Sequence, residues 1–342
     1  MTDPVQRVRI VETGWERDLE VERGPEQLPE LEGDEVLVKV EACGVCYRDL
    51  IDRAGRIPFI QVPIVPGHEA AGRVVALGPE AKQWKVGDRV GSMHRNACGE
   101  CEPCRAGHTS LCNTAAYVLG LLVDGGYARH LKMPESGFFP IPESLSGPEA
   151  SVMHCTFGTA WRALVTVGGL KKGERVIVTG ANGGVGAAGV QIAARFSDDV
   201  TAVVRDEKHE AFVRELGAHR VVVDTDGTFH KKAKGADLVL ENVGAPTFNA
   251  SLRSLKVGGR ISVVGNVVEQ RVELNLGYIV VNALKVLGPG GATRDDMAAV
   301  FQEHARKPFR VAIDRTMDLE RADEAQRMVL RGGLHGRVVL IP

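Results

Sequence analysis

The spacing of apolar residues divides the chain into two regions with different rhythms. Up to about residue 150, short apolar runs of strand length are separated by Gly and Pro, as at 36–40 (V-L-V-K-V) and 72–77. The run at 86–90 (V-G-D-R-V) is typical of a turn that leads into a third strand. This first region is therefore predicted to be rich in β-strands.

From about Gly168 onward, apolar stretches of strand length alternate with longer stretches of helical periodicity. The predicted strands are 175–179, 200–204, 236–241, 260–265 and 284–288. Helices are predicted at 184–196 and 207–216, and Gly217 stops the second one. Repeated alternation of strand and helix predicts an α/β fold with a parallel, doubly wound sheet.

The C-terminal tail follows a third pattern. It contains a predicted helix near 321–330 and a predicted terminal strand at 336–341. We expect this tail to return to the first, β-rich domain. A length of 342 residues allows two domains of ordinary size, which agrees with the two rhythms.

Composition and charge narrow the class of protein. The 44% hydrophobic and 25% charged residues are globular values, and a net charge of −2 gives no reason to expect nucleic acid or a membrane as partner. The polar segment 1–9 leads into no apolar core, so we expect no signal peptide. The apolar run 176–194 is interrupted by glycines, and we interpret it as a buried strand, a turn and a buried helix. Seven cysteines, an odd number without a signal peptide, argue against a disulfide framework. A reducing cytoplasm is therefore the default expectation, in which metal binding or catalysis explains the cysteine clusters.

A glycine-rich turn lies between an apolar strand and an apolar helix. Its sequence is T-G-A-N-G-G-V-G, and its candidate cofactor-binding residues are Thr179, Gly180, Asn182, Gly183, Gly184, Val185 and Gly186. Glycines allow the backbone to turn sharply and to approach a pyrophosphate at the helix N-terminus. In this strand–turn–helix context the turn predicts dinucleotide binding, whereas a purely structural turn is the alternative.

The residues after the next strand bear on the choice of dinucleotide. NAD-binding proteins place an acid about 20 residues beyond the turn, where it binds the ribose 2′-hydroxyl. Here Val204 occupies that place, followed by Arg205 and Asp206. We predict that Arg205 pairs with a 2′-phosphate, which favours NADPH over NADH. The alternative is that Arg205 is solvated and Asp206 binds the ribose.

Four cysteines fall in one short loop. They follow the pattern C-x2-C-x2-C-x7-C and are Cys98, Cys101, Cys104 and Cys112. Four thiolates in one loop are typical of a closed, tetrahedral structural zinc site. Free or disulfide-linked cysteines are the alternative.

A second candidate metal site is formed by residues that are far apart in the sequence: Cys46, His68 and Cys155. Each of them taken alone also fits a buried core position. Together they supply two thiolates and one imidazole, a set that leaves a fourth position of a zinc ion open. Glu69 is a candidate alternate ligand, and Asp49 is a candidate partner that orients a ligand. Cys43 is expected to be packed in the core.

These residues resemble motifs of the medium-chain dehydrogenase/reductase family over nearly the whole chain. The matching motifs are C-G-V-C at 43–46, G-H-E at 67–69, the four-cysteine loop, G-G-Y-A at 125–128 and the glycine turn. The resemblance implies a catalytic zinc held by Cys46, His68 and Cys155, and a structural zinc at the four-cysteine loop. It also implies a GroES-like catalytic domain over 1–154, completed by 291–342, and a Rossmann cofactor-binding domain over 155–290.

The same resemblance implies two further features. Gly265 and Asn266 are expected near the nicotinamide of the cofactor, and Arg337 near its phosphates. The apolar segment 276–286 leads to the last strand of the cofactor-binding domain, and family members commonly pair this edge across a two-fold axis. A homodimer is therefore expected, either alone or within a homotetramer.

One position departs from the pattern of zinc alcohol dehydrogenases. Those enzymes carry Ser or Thr two residues after the first zinc cysteine, and its hydroxyl relays the proton of the alcohol. Here that residue is Arg48, preceded by Tyr47. An arginine stays protonated and cannot act as a base, although it can hold an anion. The departure argues against simple alcohol oxidation.

A narrower resemblance points to another reaction. C-Y-R-D-L at 46–50, V-G-A-P-T-F at 243–248, L-G-Y-I at 276–279 and the extended glycine turn are similar to archaeal-type acryloyl-CoA reductases. Those enzymes use NADPH to reduce a carbon–carbon double bond conjugated to a CoA thioester. The resemblance implies a short acyl-CoA substrate, acryloyl-like or a small branched relative such as 3-methylcrotonyl.

For that reaction the candidate catalytic residues are Tyr47 and Arg48. Tyr47 would donate a hydrogen bond or a proton, and Arg48 would fix the enolate or a CoA phosphate. Arg53 and Arg56 either extend this basic rim or are solvated surface charges. Three alternatives stay open: a zinc-dependent alcohol dehydrogenase or aldehyde reductase, a quinone or enone reductase without catalytic zinc, and a non-catalytic nucleotide-binding protein.

Overall fold

The computed structural model describes residues 3–25, 28–114, 117–268 and 270–342. Its strands are β1 (Val5–Arg9), β2 (Glu20–Arg23), β3 (Glu35–Val45), β4 (Glu69–Leu77), β5 (Arg89–Ser92), β6 (His130–Pro134), β7 (Phe138–Pro140), β8 (Val176–Val178), β9 (Val200–Val204), β10 (Arg220–Val223), β11 (Ala236–Glu241), β12 (Leu255–Val263), β13 (Lys285–Leu287), β14 (Ile313–Asp318) and β15 (Arg337–Ile341). Its α-helices are α1 (Tyr47–Arg53), α2 (Glu102–Arg105), α3 (Gly147–Met153), α4 (Thr159–Trp161), α5 (Gly184–Ala193), α6 (Glu210–Glu215), α7 (Ala245–Ser254), α8 (Leu276–Val281), α9 (Arg294–Arg306) and α10 (Ala322–Arg331).

Short turns of other helical types complete this set. The 3₁₀ turns are Thr109–Leu111, Glu135–Gly137, Glu207–His209, Phe229–Lys231 and Leu319–Arg321. Two π-helical turns, His154–Gly158 and Arg162–Thr166, flank α4. π-Helical turns are rare and often occur at functional sites. The first of them contains Cys155, one of the predicted metal ligands.

The first compact unit is the β-rich one. It comprises Met1–Cys155, Ile313–Gly333 and Arg337–Pro342. Its main sheet has the strand order β14-β15-β3-β4-β5-β7, and β6 pairs with β3. The terminal strand β15 pairs antiparallel with β3 and places Val338 opposite Val45, so the end of the chain lies in the same sheet as β3.

The second compact unit comprises Thr156–Ala312 and Leu334–Gly336. Its parallel sheet has the order β10-β9-β8-β11-β12-β13. The chain adds β9 and β10 on one side of β8, and then adds β11, β12 and β13 on the other side. This order is that of a doubly wound dinucleotide-binding sheet, whose ligands bind at the carboxyl ends of the strands where the order reverses. The glycine turn follows β8 and therefore lies at that position.

The predicted elements of this second unit agree with the structure in type, and several of them differ from it by a few residues at their ends. Strands 200–204 and 236–241 have the predicted bounds. The predicted helix 207–216 begins as the 3₁₀ turn Glu207–His209, because the Asp206 side chain caps that turn by accepting from the Lys208 amide. Gly217 follows it with a φ of 109°, as a helix-stopping glycine should.

The expected boundary at residue 291 differs from the observed one. Helix α9 belongs to the second unit, and the chain enters the first unit only at Ile313. A buried ion pair explains this difference: the Asp296 carboxylate lies 3.1 Å from Nη1 of Arg162 and accepts from Thr166 Oγ1 at 2.6 Å. These contacts tie α9 to the segment that precedes β8. Within the described residues, no helix is long and apolar enough to cross a membrane.

Candidate functional site

Three parts of the first unit bring four potential metal ligands together. Cys46 lies between β3 and α1, His68 and Glu69 stand at the start of β4, and Cys155 lies in the π-helical turn after α3. One ligand atom from each of the four lies within 4.8 Å of the others, and the two sulfurs are 3.7 Å apart. The structure thus brings together the three candidate ligands Cys46, His68 and Cys155 and the candidate alternate ligand Glu69.

The imidazole of His68 is oriented by a buried carboxylate. Its Nδ1 lies 2.9 Å from Oδ1 of Asp49, which leaves Nε2 for a metal. The other oxygen of Asp49 accepts from the Tyr127 hydroxyl at 3.1 Å and from the Cys46 amide at 3.0 Å. Such partners fix the ring orientation of a metal-binding histidine and raise its basicity. Asp49 therefore has the contacts expected of the orienting partner proposed from the sequence.

The G-H-E motif at 67–69 packs tightly against the G-G-Y-A motif at 125–128, and this packing positions His68. Gly67 has a φ of +96°, and a Cβ there would lie 2.3 Å from the Tyr127 ring. A Cβ on Gly125 would lie 2.2 Å from the Gly67 carbonyl oxygen. The motifs G-H-E and G-G-Y-A thus form one tightly packed support beneath the ligand, and Cys43 is buried beside it, as expected.

An arginine compensates the negative charge of this cluster. Nη2 of Arg337 lies 2.9 Å from Oε1 of Glu69, 3.5 Å from Cys46 Sγ and 3.7 Å from Cys155 Sγ. The hydrogen bond with Cys155, together with Arg337 and His68, holds the pKa of the Cys46 thiol well below its usual range. Burial raises the pKa of Glu69 to about 7, although the guanidinium of Arg337 opposes this rise. A thiolate at Cys46 is the form that binds a metal.

The four-cysteine loop forms a second cluster among the described residues. Sγ of Cys98 and Cys104 are 4.0 Å apart, and Sγ of Cys101 and Cys112 are 3.8 Å apart. The amides of Glu100 and Cys101 donate to Cys98 Sγ. Burial raises the pKa of Cys112, but hydrogen bonds from Thr114 and from the Cys98 amide lower it to about 5.

Sulfur spacing tests whether zinc fits these clusters. In a tetrahedral site with Zn–S distances of about 2.3 Å, two sulfurs lie about 3.8 Å apart. The Cys46–Cys155, Cys101–Cys112 and Cys98–Cys104 sulfur pairs lie at 3.7, 3.8 and 4.0 Å, close to that distance, and all the candidate ligand atoms of each cluster lie within 4.8 Å of one another. The four-thiol set suits a closed structural ion, and the Cys46, His68 and Cys155 set suits an ion with an open position.

In the second unit, the glycine turn has the backbone shape of a phosphate cradle. Gly180 has a φ of +55°, and Gly183 is the N-cap of α5, so the first amides of that helix are free of helical partners. A Cβ on Gly186 would lie 2.2 Å from the Gly180 oxygen, and a Cβ on Gly265 would lie 1.8 Å from the Asn242 oxygen. These residues must be glycines for the turn and the end of β12 to pack this closely.

The polar residues of the turn are engaged within the protein. Thr179 donates to Glu241, and the Asn182 side chain donates to the Leu334 carbonyl at 2.9 Å. The Gly336 amide donates to the Asn182 carbonyl at 2.8 Å. Val185 is half-buried on α5, and Asn266 is exposed just after Gly265. Asn182 therefore shapes the turn by anchoring the segment Leu334–Gly336.

Arg205 and Asp206 occupy different environments at the end of β9. Asp206 accepts from the Lys208 amide at 3.0 Å and lies 3.1 Å from Lys208 Nζ, and these bonds lower its pKa. Arg205 is exposed. The carboxylate is thus used as a helix cap, whereas the guanidinium faces solvent.

Arg48 is held firmly on the first turn of α1. Its Nη2 donates to the Leu119 carbonyl at 2.7 Å, and its Nε lies 3.0 Å from Oδ2 of the buried Asp52. Burial raises the pKa of Asp52 to about 7, although Arg48 opposes this rise. Its neighbour Tyr47 is half-buried at the first position of the same helix.

Comparison with known proteins gives the family. Residues 32–143 match the alcohol dehydrogenase GroES-like domain, and residues 184–306 match the zinc-binding dehydrogenase domain. An acryloyl-coenzyme A reductase of Sulfurisphaera tokodaii is 32% identical over 97% of this chain and 99% of its own length. The chain belongs to the zinc-containing medium-chain dehydrogenase/reductase family.

Two further proteins are similar to this chain over nearly its whole length. An alcohol dehydrogenase of Geobacillus stearothermophilus is 35% identical to this medium-chain dehydrogenase/reductase over 94% of each chain. The solved structure of a protein named AibC superimposes with a TM-score of 0.90 at 35% identity, covering 100% of this chain and 97% of that one. The protein is thus an oxidoreductase with a GroES-like part and a Rossmann-like parallel sheet.

The structure differs from the sequence-based expectations for two arginines of this dehydrogenase/reductase. Arg337 contacts Glu69 and the thiols of Cys46 and Cys155, contacts that the sequence did not suggest. Its expected contact with cofactor phosphates stays a prediction. Arg53 belongs neither to a basic rim nor to the solvated surface, because it is 1% exposed and pairs with Asp323 at 2.6 Å beneath the Trp15 ring. Arg56 is exposed.

Proposed function

We propose that this dehydrogenase/reductase uses NADPH to reduce the carbon–carbon double bond of a short α,β-unsaturated acyl-CoA. In the overall reaction the β-carbon gains a hydride, the α-carbon gains a proton, and the reduced nicotinamide is oxidised. The observation that carries the proposal is the anchored guanidinium of Arg48, two residues after Cys46. Similarity to the acryloyl-coenzyme A reductase supports the same reaction.

Negative charge develops on the thioester oxygen during such a reduction, so the site needs a group that stabilises it. A zinc ion held by Cys46, His68 and Cys155 would supply a Lewis acid when bound. Arg48 is suited to hold the enolate or a CoA phosphate, because Asp52 and the Leu119 carbonyl fix its guanidinium while its side chain stays 25% exposed. Tyr47 is the candidate hydrogen-bond donor and proton source.

The residues at the end of β9 support NADPH rather than NADH as the proposed cofactor. Asp206 already serves as a cap, which makes it a poor ligand for a ribose hydroxyl, and the exposed Arg205 is suited to pair with a 2′-phosphate.

Alcohol oxidation is the second candidate function. The intact Cys46, His68 and Cys155 cluster favours it, as does similarity to the Geobacillus alcohol dehydrogenase. Arg48 argues against it, because a guanidinium cannot relay the proton of an alcohol.

The deciding experiment compares kcat/KM across substrate classes. Oxidation of NADPH is followed with acryloyl-CoA, crotonyl-CoA, benzaldehyde and a quinone, and reduction of NADP⁺ with ethanol and benzyl alcohol. We expect the enoyl-CoA esters to give the highest kcat/KM. Efficient oxidation of either alcohol with inert enoyl-CoA esters would replace the reductase proposal with the dehydrogenase one.

Variants at Arg48 test its role directly. Arg48→Gln should lower kcat/KM for crotonyl-CoA roughly ten- to hundredfold, since one charge-assisted contact is lost. Arg48→Lys keeps the charge and should lose less. Arg17→Gln removes an exposed arginine of the same unit and serves as the control. Equal rates for wild type and Arg48→Gln would contradict the proposed role.

A further inference from the structure

A buried carboxylate lies next to the glycine turn. Glu241, the last residue of β11, is 0% exposed. Its Oε1 accepts from Thr179 Oγ1 at 3.0 Å, from the Val243 and Gly244 amides at 2.9 and 3.0 Å, and from Thr247 Oγ1 at 2.7 Å. Its Oε2 accepts from Ser251 Oγ. All of these hydrogen-bond donors to the Glu241 carboxylate are hydroxyls or main-chain amides, and none of them is a charged side chain.

The groups bonded to Glu241 belong to separate segments. Thr179 begins the glycine turn after β8, and Val243 and Gly244 form the loop between β11 and α7. The main-chain oxygen of Glu241 also accepts from the amides of Val264 and Gly265, at the end of β12. One residue therefore connects the carboxyl ends of β8, β11 and β12.

Neighbouring contacts reinforce this junction. The Asn242 amide donates to Thr179 Oγ1 at 2.9 Å, and the Asn242 side chain donates to the Thr179 carbonyl at 2.9 Å. Gly244 has a φ of +97°, so the loop after Glu241 takes a left-handed turn that the carboxylate bonds hold in place. A Cβ on Gly265 would collide with Asn242, which shows how tightly the two strand ends pack.

These strand ends lie where a doubly wound sheet binds its dinucleotide. We infer that Glu241 is a positioning residue of the cofactor site, which holds the glycine turn in register with the ends of β11 and β12 without touching the cofactor. The inference rests on the dinucleotide site of the proposed function, but its test measures cofactor binding and not substrate turnover.

The role depends on acceptor geometry rather than on charge. In Glu241→Gln, the amide oxygen can replace Oε1 with its four donors, and the amide nitrogen can donate to Ser251 Oγ, which accepts after rotating its hydrogen. In Glu241→Leu, the side chain keeps a similar size and loses every acceptor. The two variants therefore separate geometry from charge.

The experiment measures the Kd of whichever of NADPH and NADH binds wild type more tightly, by cofactor fluorescence. Using the tighter cofactor keeps failure of the NADPH proposal separate from failure of this inference. We expect Glu241→Gln to stay within about threefold of wild type and Glu241→Leu to bind at least about tenfold more weakly. Hydrogen exchange without cofactor should be faster in Glu241→Leu over 179–186 and 242–248.

A matched pair covers the case in which Glu241→Leu does not fold. Thr179→Val and Thr247→Val each remove one hydroxyl that donates to the same oxygen, one from the turn and the other from α7. We expect Thr179→Val alone to weaken cofactor binding and to loosen 179–186, whereas Thr247→Val should lower the Tm without either effect. Equal Kd shifts in this pair, wild-type Kd in Glu241→Leu, or a loss in Glu241→Gln as large as in Glu241→Leu would each overturn the inference.

Discussion

At the scale of single residues, chemistry depends on which polar groups are already engaged. Asp206 is an acid near the expected place for NAD recognition, yet it is bonded to Lys208 as a cap. Asp49 is not one of the four clustered candidate ligands, yet it connects His68, Cys46 and Tyr127. A residue type suggests a role, and its bonds in the folded protein decide which role is available.

Arg205 should discriminate between the two dinucleotides. Arg205→Ala should weaken NADPH binding by roughly 1.5–3 kcal/mol, because one charge-assisted hydrogen bond is lost, and should leave NADH binding nearly unchanged. Calorimetric titration with both cofactors measures this. Arg253→Ala removes another exposed arginine of the same unit and is the control. Equal losses for NADPH and NADH would show that Arg205 is not the discriminator.

Asp49 should support metal binding at the second candidate site. Asp49→Asn keeps the size of the side chain but weakens its bond to His68 Nδ1, so zinc affinity at the Cys46 cluster should fall roughly 10–100-fold. Competition with a chromophoric chelator measures the affinity. The four-cysteine zinc of the same variant provides the internal control and should be retained. An unchanged affinity at the Cys46 cluster would contradict the orienting role.

At the scale of elements, local sequence patterns predicted those elements whose formation depends mainly on their own residues. The buried strands of the parallel sheet and the four-cysteine loop follow from short-range periodicity and spacing. Element ends were less predictable: the 3₁₀ turn Glu207–His209 arises from a side-chain cap at Asp206, and α5 ends at Ala193 rather than at 196. Caps and final turns depend on individual hydrogen bonds, which hydrophobic periodicity does not report.

The four-cysteine loop should need zinc for its order. Cys112→Ser should remove one zinc per chain and expose the segment 98–112 to proteolysis, because a structural ion contributes folding energy to its loop. Elemental analysis and limited proteolysis measure these effects. Cys43→Ala removes a thiol outside both clusters and should keep the wild-type zinc content. Metal-replete wild type without zinc would refute the structural site.

At the scale of the whole molecule, one edge of the second unit carries unusual apolar exposure. Helix α8 packs Tyr278 and Ile279 against the core, whereas Leu276, Val280 and Val281 are 68%, 75% and 76% exposed. The adjacent strand β13 stands at the end of the sheet order. Exposed apolar faces beside a sheet edge are typical of subunit interfaces.

We therefore predict a homodimer, alone or within a homotetramer, that covers this edge. Val280→Lys should lower the molar mass in solution, to that of one chain if the wild type is a dimer and to half its value if it is a tetramer, since a charge on the covered face is costly to bury. Light scattering at micromolar concentration measures the mass. Val86→Lys changes an exposed valine of the other unit and should leave the mass unchanged. A monomeric wild type would contradict the prediction.

The sequence alone determined the features that depend on neighbours along the chain. The four-cysteine cluster closes over short spacings, such as the separation of 14 positions from Cys98 to Cys112, and the glycine turn and the alternating strands and helices are equally local. Tertiary structure decided the rest: Arg337 meets Cys46 across 291 residues, Arg53 is buried against Asp323, and α9 joins the second unit. These contacts depend on how segments that are distant in the sequence pack against each other. The local sequence pattern is compatible with many such arrangements, and only the folded chain shows which residues meet.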